Sequence, residues 1–278
     1  QEGLMTTAPT HAAHRPGSSG RIVGGLAVKN LRKMWRTPIV IIMAMAYPVG
    51  MYVLFATVFN QAYPTGLSYA AISLPAMATL GIMSNCLFNL SIDVTNEREE
   101  GFLRRLALLP CPAWAFLTSK IISSALITAL CTVVLILTGV LVLGVSLPTS
   151  PAAWGLILLV CVLTTAYCAA IGIALGRTLR TSQVTLGVVL PIFIIIPFVS
   201  GLFLPMDMLP SWLVNAASVL PVRWSTQLLR QGFLPDALKS NELGGSWNTG
   251  MGLAVLTAWV VIGVVWAIIA SRRDTFDR

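Results

Sequence analysis

The sequence predicts an all-α integral membrane protein with six transmembrane helices, and two observations lead to this fold class. Hydrophobic residues make up 56% of the 278 residues and charged residues only 10%, whereas about a quarter of the residues in a soluble domain are charged. Six apolar runs without a charged residue are each long enough to cross about 30 Å of hydrocarbon. They cover residues 39–59, 70–90, 121–145, 153–175, 184–204 and 251–270. This composition excludes an ordinary soluble enzyme.

The basic residues predict the orientation, because cytoplasmic loops are enriched in Lys and Arg. Fifteen of the 18 basic residues lie before run one, between runs two and three, between runs four and five, or after run six. Only Arg223, Arg230 and Lys239 lie on the opposite side. Both termini are therefore expected in the cytoplasm. The net charge of +8 is interpreted as a topology signal rather than as a nucleic-acid surface.

The ends of the chain and its cysteines give no indication of a targeting segment, a metal site or a disulfide. Residues 1–20 are small and polar and lack the apolar core of a signal peptide, so we expect a disordered tail. His11 and His14 lie on this tail without other ligands nearby, and the five cysteines form no CxxC pair. We expect no metal site and no disulfide. Residues 21–273 are expected to form one membrane domain, followed by a cytoplasmic tail at 274–278.

Residues 21–37 carry apolar residues every three to four positions, which predicts an amphipathic helix along the cytoplasmic headgroups. The basic residues fall largely on the other face, and Trp35 is placed at the interface. The polar-face and interface residues are Lys29, Arg32, Lys33, Trp35 and Arg36. Two interpretations stay open: a basic flank that orients the first span, or a helix that also contacts a cytoplasmic partner.

The loop after the second run combines high charge with an apolar stripe. Thr95 and Asn96 offer capping oxygens, acidic residues follow them, and two Arg come toward the end, the order that a helix dipole favours. A helix over residues 95–110 is therefore expected. Its exposed apolar residues, among them Phe102 and Leu106, indicate either a docking element for a partner or a solvated loop with local ion pairs.

Polar residues in the second run share one helix face. Asn85, Asn89 and Asp93 recur at spacings of four. Amide side chains are costly to expose to lipid, so they either bond between helices or line a cavity, and the sequence leaves both readings open.

Glycines and prolines shape two further runs. Gly172 and Gly176 form a GxxxG pattern, which permits close helix approach. Pro191 and Pro197 predict a kink in run five, because each removes a backbone donor.

The outer connection over residues 205–249 is punctuated by prolines. Its apolar stretch, residues 209–220, contains Trp212 and is too short to span a membrane. We therefore predict a pair of short interfacial or re-entrant helices in this connection.

Motifs for catalysis are missing from the sequence. No GxxxxGK[ST] pattern occurs, so the phosphate-binding loop of an ATPase is absent, and neither HExxH nor GxSxG appears. The runs contain no chain of carboxylates for proton coupling. We expect that the chain is not an enzyme and that any energy comes from another polypeptide.

Two stretches resemble a known family. Residues 97–110, EREEGFLRRLALLP, followed by Trp114 and Lys120, resemble the loop after the second span of type 2 ABC exporter permeases, the class of the daunorubicin-resistance permeases. Residues 203–213, FLPMDMLPSWL, and the chain on to Arg230 are similar to that family's segment between spans five and six. With six spans and both ends inside, the resemblance covers residues 21–273.

The resemblance implies a membrane subunit that pairs with a second permease, the same or related. Each would sit on one of two copies of a separate ATPase, which would bind ATP and Mg, with no cofactor on this chain. Residues 21–37 would be the connecting helix, 95–110 the coupling helix, and 205–249 the outer loop. The implied ATPase-coupling residues are Glu97, Arg98, Glu99, Glu100, Gly101, Phe102, Arg104, Arg105 and Leu106. The implied cleft-lining residues are Asn85, Asn89, Phe193, Phe198 and Phe203, and the implied outer gate is Pro205, Pro210, Trp212 and Pro221.

The predicted function is therefore ATP-driven export of an amphipathic drug, antibiotic or lipid across the plasma membrane of a bacterium. Uncharged apolar spans favour such a cargo over an ion. Export of a polysaccharide or glycolipid is the alternative within the family, which a row of aromatic side chains along the cleft would favour. Outside the family, the alternatives are an ion-gradient carrier or channel, which should show buried carboxylates or an inverted repeat, and a membrane anchor subunit.

Overall fold

A computed structural model describes residues 24–25, 28–30, 32, 36, 38–59, 68–101, 113–203, 210–235 and 246–276. The described part of the chain is helical and contains no strand, which confirms the all-α class. The helices are α1 Pro38–Val58, α2 Tyr69–Met83, α3 Leu90–Glu99, α4 Ala113–Leu141, α5 Pro151–Thr178, α6 Ser182–Val199, α7 Ser211–Val219, α8 Pro221–Phe233 and α9 Thr249–Phe276. A π-helical segment, Ser84–Asn89, joins α2 to α3 without a break.

Five described stretches are long and apolar enough to cross a membrane. They are Tyr69–Glu99, Phe116–Leu141, Pro151–Thr178, Ser182–Val199 and Thr249–Arg272, and they match predicted runs two to six. The helix α1 has 21 residues and matches run one. Its described apolar part, Met45–Val58, is shorter than a full span. The count of six spans and their orientation therefore stay predictions.

The continuous helix from α2 through the π-helical segment to α3 lies at the centre of the bundle. Of its apolar window 89% is buried inside the chain, compared with 22% for α6 and for α9. The helices α1, α4, α5 and α8 pack around it, and α9 lies along α5. Polar side chains of the second run are therefore inside the protein, whereas α6 and α9 present apolar faces outward.

Two glycines bring α5 against the central helix. A Cβ atom at Gly172 would lie 2.3 Å from Cys86 O, and one at Gly176 would lie 2.5 Å from Ser91 O. No side chain fits at these distances, so glycine is required for the two backbones to come this close. The GxxxG pattern is confirmed as a site of close helix approach, and its partner is the second span.

The helices α7 and α8 form the pair of short helices predicted in the outer connection. Val219 O, at the end of α7, accepts a hydrogen bond from Trp259 Nε1 at 3.0 Å. Thr226 Oγ1, in α8, donates to Thr79 Oγ1 at 3.2 Å. Trp259 and Thr79 each lie ten residues inside their helices, about 15 Å from the helix start. The contacts of α7 and α8 therefore lie about a third of the way along α9 and along the continuous helix that begins with α2.

The predicted start of the helix over residues 95–110 is wrong. Thr95 and Asn96 cap no new helix, because they lie inside α3, which runs to Glu99. The Thr95 hydroxyl instead donates to Ser91 O at 2.9 Å, one turn back in the same helix. Gly101 then adopts a φ of 71°, the left-handed conformation that ends helices and is least costly for glycine. Residues 102–110 lie outside the described residues.

Candidate functional site

One end of the bundle concentrates the described positive charge, and we call it the basic end. Its members are Arg98 at the end of α3, Lys120 near the start of α4, Arg177 and Arg180 around the end of α5, and Arg272 in the last turns of α9. This is the end that the sequence places on the cytoplasmic side.

Lys120 is buried between two carboxylates at the basic end. Its Nζ lies 2.5 Å from Asp93 Oδ2 and 2.9 Å from Glu97 Oε1. Asp93 and Glu97 are four residues apart on α3 and therefore share one face. The Lys120 side chain is 3% exposed and that of Glu97 is 6% exposed. Since removal of one partner from such a pair leaves a buried charge, these contacts fix α3 against α4.

Arg98 and Glu99 contact the turn between α5 and α6. Arg98 Nη1 donates to Arg177 O at 2.6 Å and to Leu179 O at 3.2 Å. The Glu99 carboxylate accepts from Ser182 N at 3.1 Å and from Ser182 Oγ at 2.7 Å. A cation thus lies at the C-terminus of α5 and an anion at the N-terminus of α6, which are the signs that the two helix dipoles favour.

Thr95 extends the same interface one turn deeper. Its hydroxyl lies 3.2 Å from Gly176 O as a donor and 2.9 Å from Thr185 Oγ1. Residues 95, 98 and 99 lie on one face of α3, since they are three and four positions apart. This face of α3 therefore contacts α5 and α6, while the face with Asp93 and Glu97 contacts α4.

The structure places the implied ATPase-coupling residues in different environments. Glu97 is buried, Arg98 and Glu99 contact α5 and α6, and Glu100 is exposed. Gly101 turns the chain away from α3. The remaining four, Phe102, Arg104, Arg105 and Leu106, lie outside the described residues. Their role in coupling stays a prediction.

Two contact residues at this end were not assigned roles from the sequence. Lys120 was noted only through the resemblance, and Ser182 was not noted at all. The spacing of Asp93 and Glu97 was a signal for the lysine, because two carboxylates on one apolar helix face need a cation. No sequence signal pairs Glu99 with Ser182, which is 83 positions away.

The predicted interfacial helix is described only in part. Residues 24–25, 28–30 and 32 are helical, and the Arg36 amide donates to Arg32 O at 3.0 Å. Arg32 and Arg36 are exposed, as is Lys29. Lys33 and Trp35 lie outside the described residues.

The implied cleft residues of the central helix pack inside the chain. Asn85 is buried, and its Nδ2 donates to Gly81 O, one turn back, at 3.2 Å. Asn89 is half-buried. Phe193 is also buried, with its ring centroid 5.4 Å from that of Phe88 and 5.8 Å from that of Tyr47. Phe193 therefore fills the space between α1, α6 and the central helix.

Five aromatic rings form a continuous row at the end opposite the basic end. Ring centroids are 5.3 Å apart for Tyr69 and Phe59, 5.6 Å for Phe59 and Phe55, 5.5 Å for Phe55 and Phe203, and 5.0 Å for Phe203 and Phe198. We call these five residues the aromatic row. Phe59 and Phe198 are each 49% exposed. The row contains two implied cleft residues and presents an accessible aromatic surface.

Hydroxyl groups surround the first turns of α8, between the middle of the bundle and the end that carries the aromatic row. Ser225 Oγ accepts from Thr164 Oγ1 at 2.8 Å and lies 3.2 Å from Tyr167 OH. Thr226 bonds to Thr79, as described above. We call Thr79, Thr164, Tyr167, Ser225 and Thr226 the hydroxyl cluster, and all five are buried. It joins α8 to α2 and α5.

The implied outer gate borders this cluster. Pro221 opens α8 at its first turn, where proline is well tolerated. Pro210 precedes α7, and the Trp212 side chain is 69% exposed. Pro205 lies outside the described residues. The gating role of these residues stays a prediction.

The described residues show no group of His, Cys, Asp and Glu arranged to hold a metal ion. Cys86, Cys131, Cys161 and Cys168 are free thiols.

Comparison with known proteins assigns the family. Residues 23–234 match the family model described as ABC-2 type transporter, which is more than half of the chain. This chain belongs to the ABC-2 type transporter family. The ABC-2 chain is a multi-pass protein of the cell membrane and a transport subunit, and members of its family normally work with an ABC ATPase partner.

Individual relatives of the ABC-2 chain are bacterial. It is 21% identical over 195 residues to the putative transport permease YvfS of Bacillus subtilis, a match that covers 70% of this chain and 78% of that protein. It is 22% identical over 196 residues to the probable multidrug ABC transporter permease YbhR of Escherichia coli, covering 70% of this chain and 51% of that protein. The chain therefore spans about half the length of the E. coli relative.

Proposed function

We propose that this chain is the membrane-spanning subunit of an ATP-driven exporter for an amphipathic drug, antibiotic or lipid. Family membership is the observation that carries this proposal. Two permease subunits, the same or related, would enclose the translocation path. Each would sit on one copy of a separate ATPase that binds ATP and Mg.

The character of the spans supports an amphipathic cargo. The six apolar runs contain no charged residue, so an ion crossing between them would meet no compensating charge. The printed name of the E. coli relative describes a probable multidrug permease, which fits the same class of cargo.

The basic end is the proposed docking surface for the ATPase. The loop that begins at Glu100 and Gly101 would enter the ATPase groove, with Phe102, Arg104, Arg105 and Leu106 making the contact. The exposed Lys29, Arg32 and Arg36 would lie along the headgroups beside it. ATP-driven closure of the ATPase pair would then shift the bundle between two rigid-body arrangements.

The outer gate is proposed at the α7–α8 hairpin. The contacts of the hairpin with α9 and with the continuous helix lie about 15 Å from the start of each helix, which supports a re-entrant position in the outer half of the membrane. In this arrangement the exposed Trp212 would lie near the outer membrane interface. Cargo would leave past Pro210 and Pro221 when the hairpin moves.

Reconstitution tests this proposal directly. The chain should be co-expressed and purified with candidate ABC ATPases of its source organism, placed in liposomes, and assayed for ATP hydrolysis against a panel of amphiphiles and, separately, ions. We expect a subset of amphiphiles to raise ATP hydrolysis. The same amphiphiles should accumulate inside those liposomes in which the ATPase faces outward. Failure of any ATPase to co-purify, or a response to ions alone, would contradict the proposal.

Charge reversal tests the docking surface. Replacement of Arg104 and Arg105 by Glu, or of Glu100 by Lys, is expected to weaken co-purification of the ATPase and to lower amphiphile-stimulated hydrolysis. Ser146→Lys adds a positive charge to the exposed connection between α4 and α5 at the other end and serves as the matched control. Unchanged co-purification and turnover in the basic-end variants would show that the docking surface lies elsewhere.

Export of a glycan is the second candidate, and the aromatic row favours it. Sugar rings pack on aromatic faces, and five successive rings about 5 to 6 Å apart offer a track for a chain of sugars. Phe203→Ala, in the middle of the row, separates the two candidates. Loss of stimulation by polyprenyl-linked oligosaccharide with unchanged response to simple amphiphiles would select the glycan.

A further inference from the structure

We propose that Arg98 and Glu99 are positioning residues that fasten the end of α3 to the turn between α5 and α6, so that displacement of α3 moves α6. The inference rests on the proposed function, in which the chain after Gly101 meets the ATPase. It goes beyond that function, because it gives these two residues a task inside the permease rather than on the ATPase surface.

The two residues hold both ends of the same short turn. Arg98 binds the last carbonyls of α5, and Glu99 binds the first residue of α6, so the turn of Leu179 to Thr181 is enclosed between them. Each contact matches the sign of the helix dipole that it meets. A shift of α3 would therefore displace the start of α6 directly, with no flexible segment between them.

The rest of α6 is held less tightly. Its buried residues form a single stripe of Thr185, Val189, Phe193 and Pro197. The other faces are exposed, and only 22% of its apolar window is buried. The described polar contacts of α6 with the central helix gather at its start, where Glu99 meets Ser182 and Thr95 meets Thr185. A helix attached in this way can pivot when its start is displaced.

The opposite face of α3 is anchored to α4. Asp93 and Glu97 bind the buried Lys120, and such a pair resists separation because either charge alone would be costly inside the protein. The end of α3, the start of α4 and the start of α6 are therefore expected to move as one body.

Ser182→Pro cuts the Glu99 contact from the α6 side without harming α6. It removes both the amide hydrogen and the hydroxyl that Glu99 accepts from. Ser182 is the first residue of α6, where proline is favoured. The preceding Thr181 has φ −133° and ψ 154°, which is compatible with a following proline. Three other described helices, α1, α5 and α8, already begin with proline.

The first experiment uses the full chain alone in nanodiscs, with spin labels at the exposed Gln183 and Arg272. The wild type should give one narrow distance distribution. In Glu99→Ala and in Ser182→Pro, a detached population should rise about fivefold, the effect of losing one capping contact. Glu99→Gln keeps one of the two acceptor oxygens and should be intermediate, as should Ser182→Ala, which keeps the amide hydrogen.

The double variant tests whether the detachment of α6 in both single variants comes from loss of the same contact, the one between Glu99 and Ser182. If Glu99 and Ser182 act through each other, Glu99→Ala combined with Ser182→Pro should detach α6 no further than either change alone. The proposal would be overturned if the variants gave the same Gln183–Arg272 distance distribution as the wild type, or if the effects of the two substitutions were fully additive.

The second experiment repeats the measurement on the complex of this chain with the ABC ATPase that co-purifies with it, using ATP and vanadate. The wild type should shift the Gln183–Arg272 distance, and both single variants should reduce that shift by half or more. A full shift in both variants would overturn the proposal. If no ATPase associates with the wild type, the proposed function fails instead, and the nanodisc experiment still decides whether the contact fastens α6.

Discussion

The two ends of the bundle are held together by different chemistry. At the basic end, the buried Lys120 pairs with the buried Glu97 and with Asp93, whose side chain is 36% exposed, and Arg98 and Glu99 make charged contacts to helix ends. At the opposite end, α8 is joined to α2 and α5 by the neutral hydroxyl cluster. Removal of one partner from a buried ion pair costs about 3 to 5 kcal/mol, whereas hydrogen bonds between membrane helices average about 0.6 kcal/mol.

This difference fits the tasks proposed for the two ends. An end that receives force from an ATPase must keep its helices in register, and ion pairs with a buried lysine provide this because their separation inside the protein is costly. An end that opens for cargo must exchange contacts at low cost. Hydroxyl groups suit such a gate, because each can donate or accept and can bond to a new partner after a small movement.

The largest effect is expected for Lys120→Met. It leaves Asp93 and Glu97 without their cation, and unfolding in detergent should become easier by about 3 to 5 kcal/mol. Thermal unfolding followed by intrinsic tryptophan fluorescence measures the change. The triple variant Lys120→Met, Asp93→Asn, Glu97→Gln removes all three charges and should recover much of the loss. A single variant as stable as the wild type would remove the contrast between the two ends.

A smaller effect is expected for Gly172→Ala, between the two ends. The new methyl group would lie 2.3 Å from Cys86 O, so α5 must move from the central helix, at a cost of about 1 to 3 kcal/mol. Gly155→Ala in the same helix is the matched control, because no atom lies within 4 Å of its Cβ position. That control should be neutral or stabilising by up to about 1 kcal/mol. Equal melting temperatures for the two variants would contradict the close approach.

A modest effect is expected in the hydroxyl cluster. A double-mutant cycle with Thr226→Val and Thr79→Val should give a coupling energy near 0.6 kcal/mol, with about 1.7 kcal/mol as the upper bound. Thr57→Val is the control, because its hydroxyl bonds only within α1. A coupling of about 3 kcal/mol or more would place this end in the same energetic class as the basic end.

The smallest effect concerns salt. The Glu99 contact is exposed, and wild type and Glu99→Gln should differ in stability by a few tenths of a kcal/mol. This difference should shrink when ionic strength rises from about 0.1 to 1 M, because the Debye screening length then falls from about 10 to 3 Å. The difference between wild type and Lys120→Met should stay nearly constant, because Lys120 is buried. Equal salt responses would show that solvent reaches both sites.

Much of the fold could be predicted from the sequence because lipid imposes strict rules. Backbone groups must be satisfied within each span, so long uncharged runs become helices, and all six runs coincide with helices. The pair of short helices before α9 also followed from length and proline spacing. The π-helical segment at Ser84–Asn89 could not be predicted, because its wider turn leaves no mark on residue type.

The site was less predictable, for a reason that Glu97 to Glu100 illustrate. Their charge marked the end of the second span as important, but charge alone cannot distinguish a residue that faces a partner from one that faces the next helix. Glu97 is buried against Lys120, whereas Glu99 and Glu100 are both exposed, and Glu99 nevertheless binds Ser182 of the next helix pair.

The sequence by itself determined that this chain crosses a membrane, where its helices run, and which family it resembles. Composition and spacing suffice for these, because they depend on local chemistry and on the thickness of the bilayer. The tertiary structure alone decided the rotation of α3, which directs Asp93 and Glu97 to α4 and directs Arg98 and Glu99 to α5 and α6. Helix rotation is set by close packing, such as that of Gly172 and Gly176 on the central helix, and packing depends on residues far apart in the sequence.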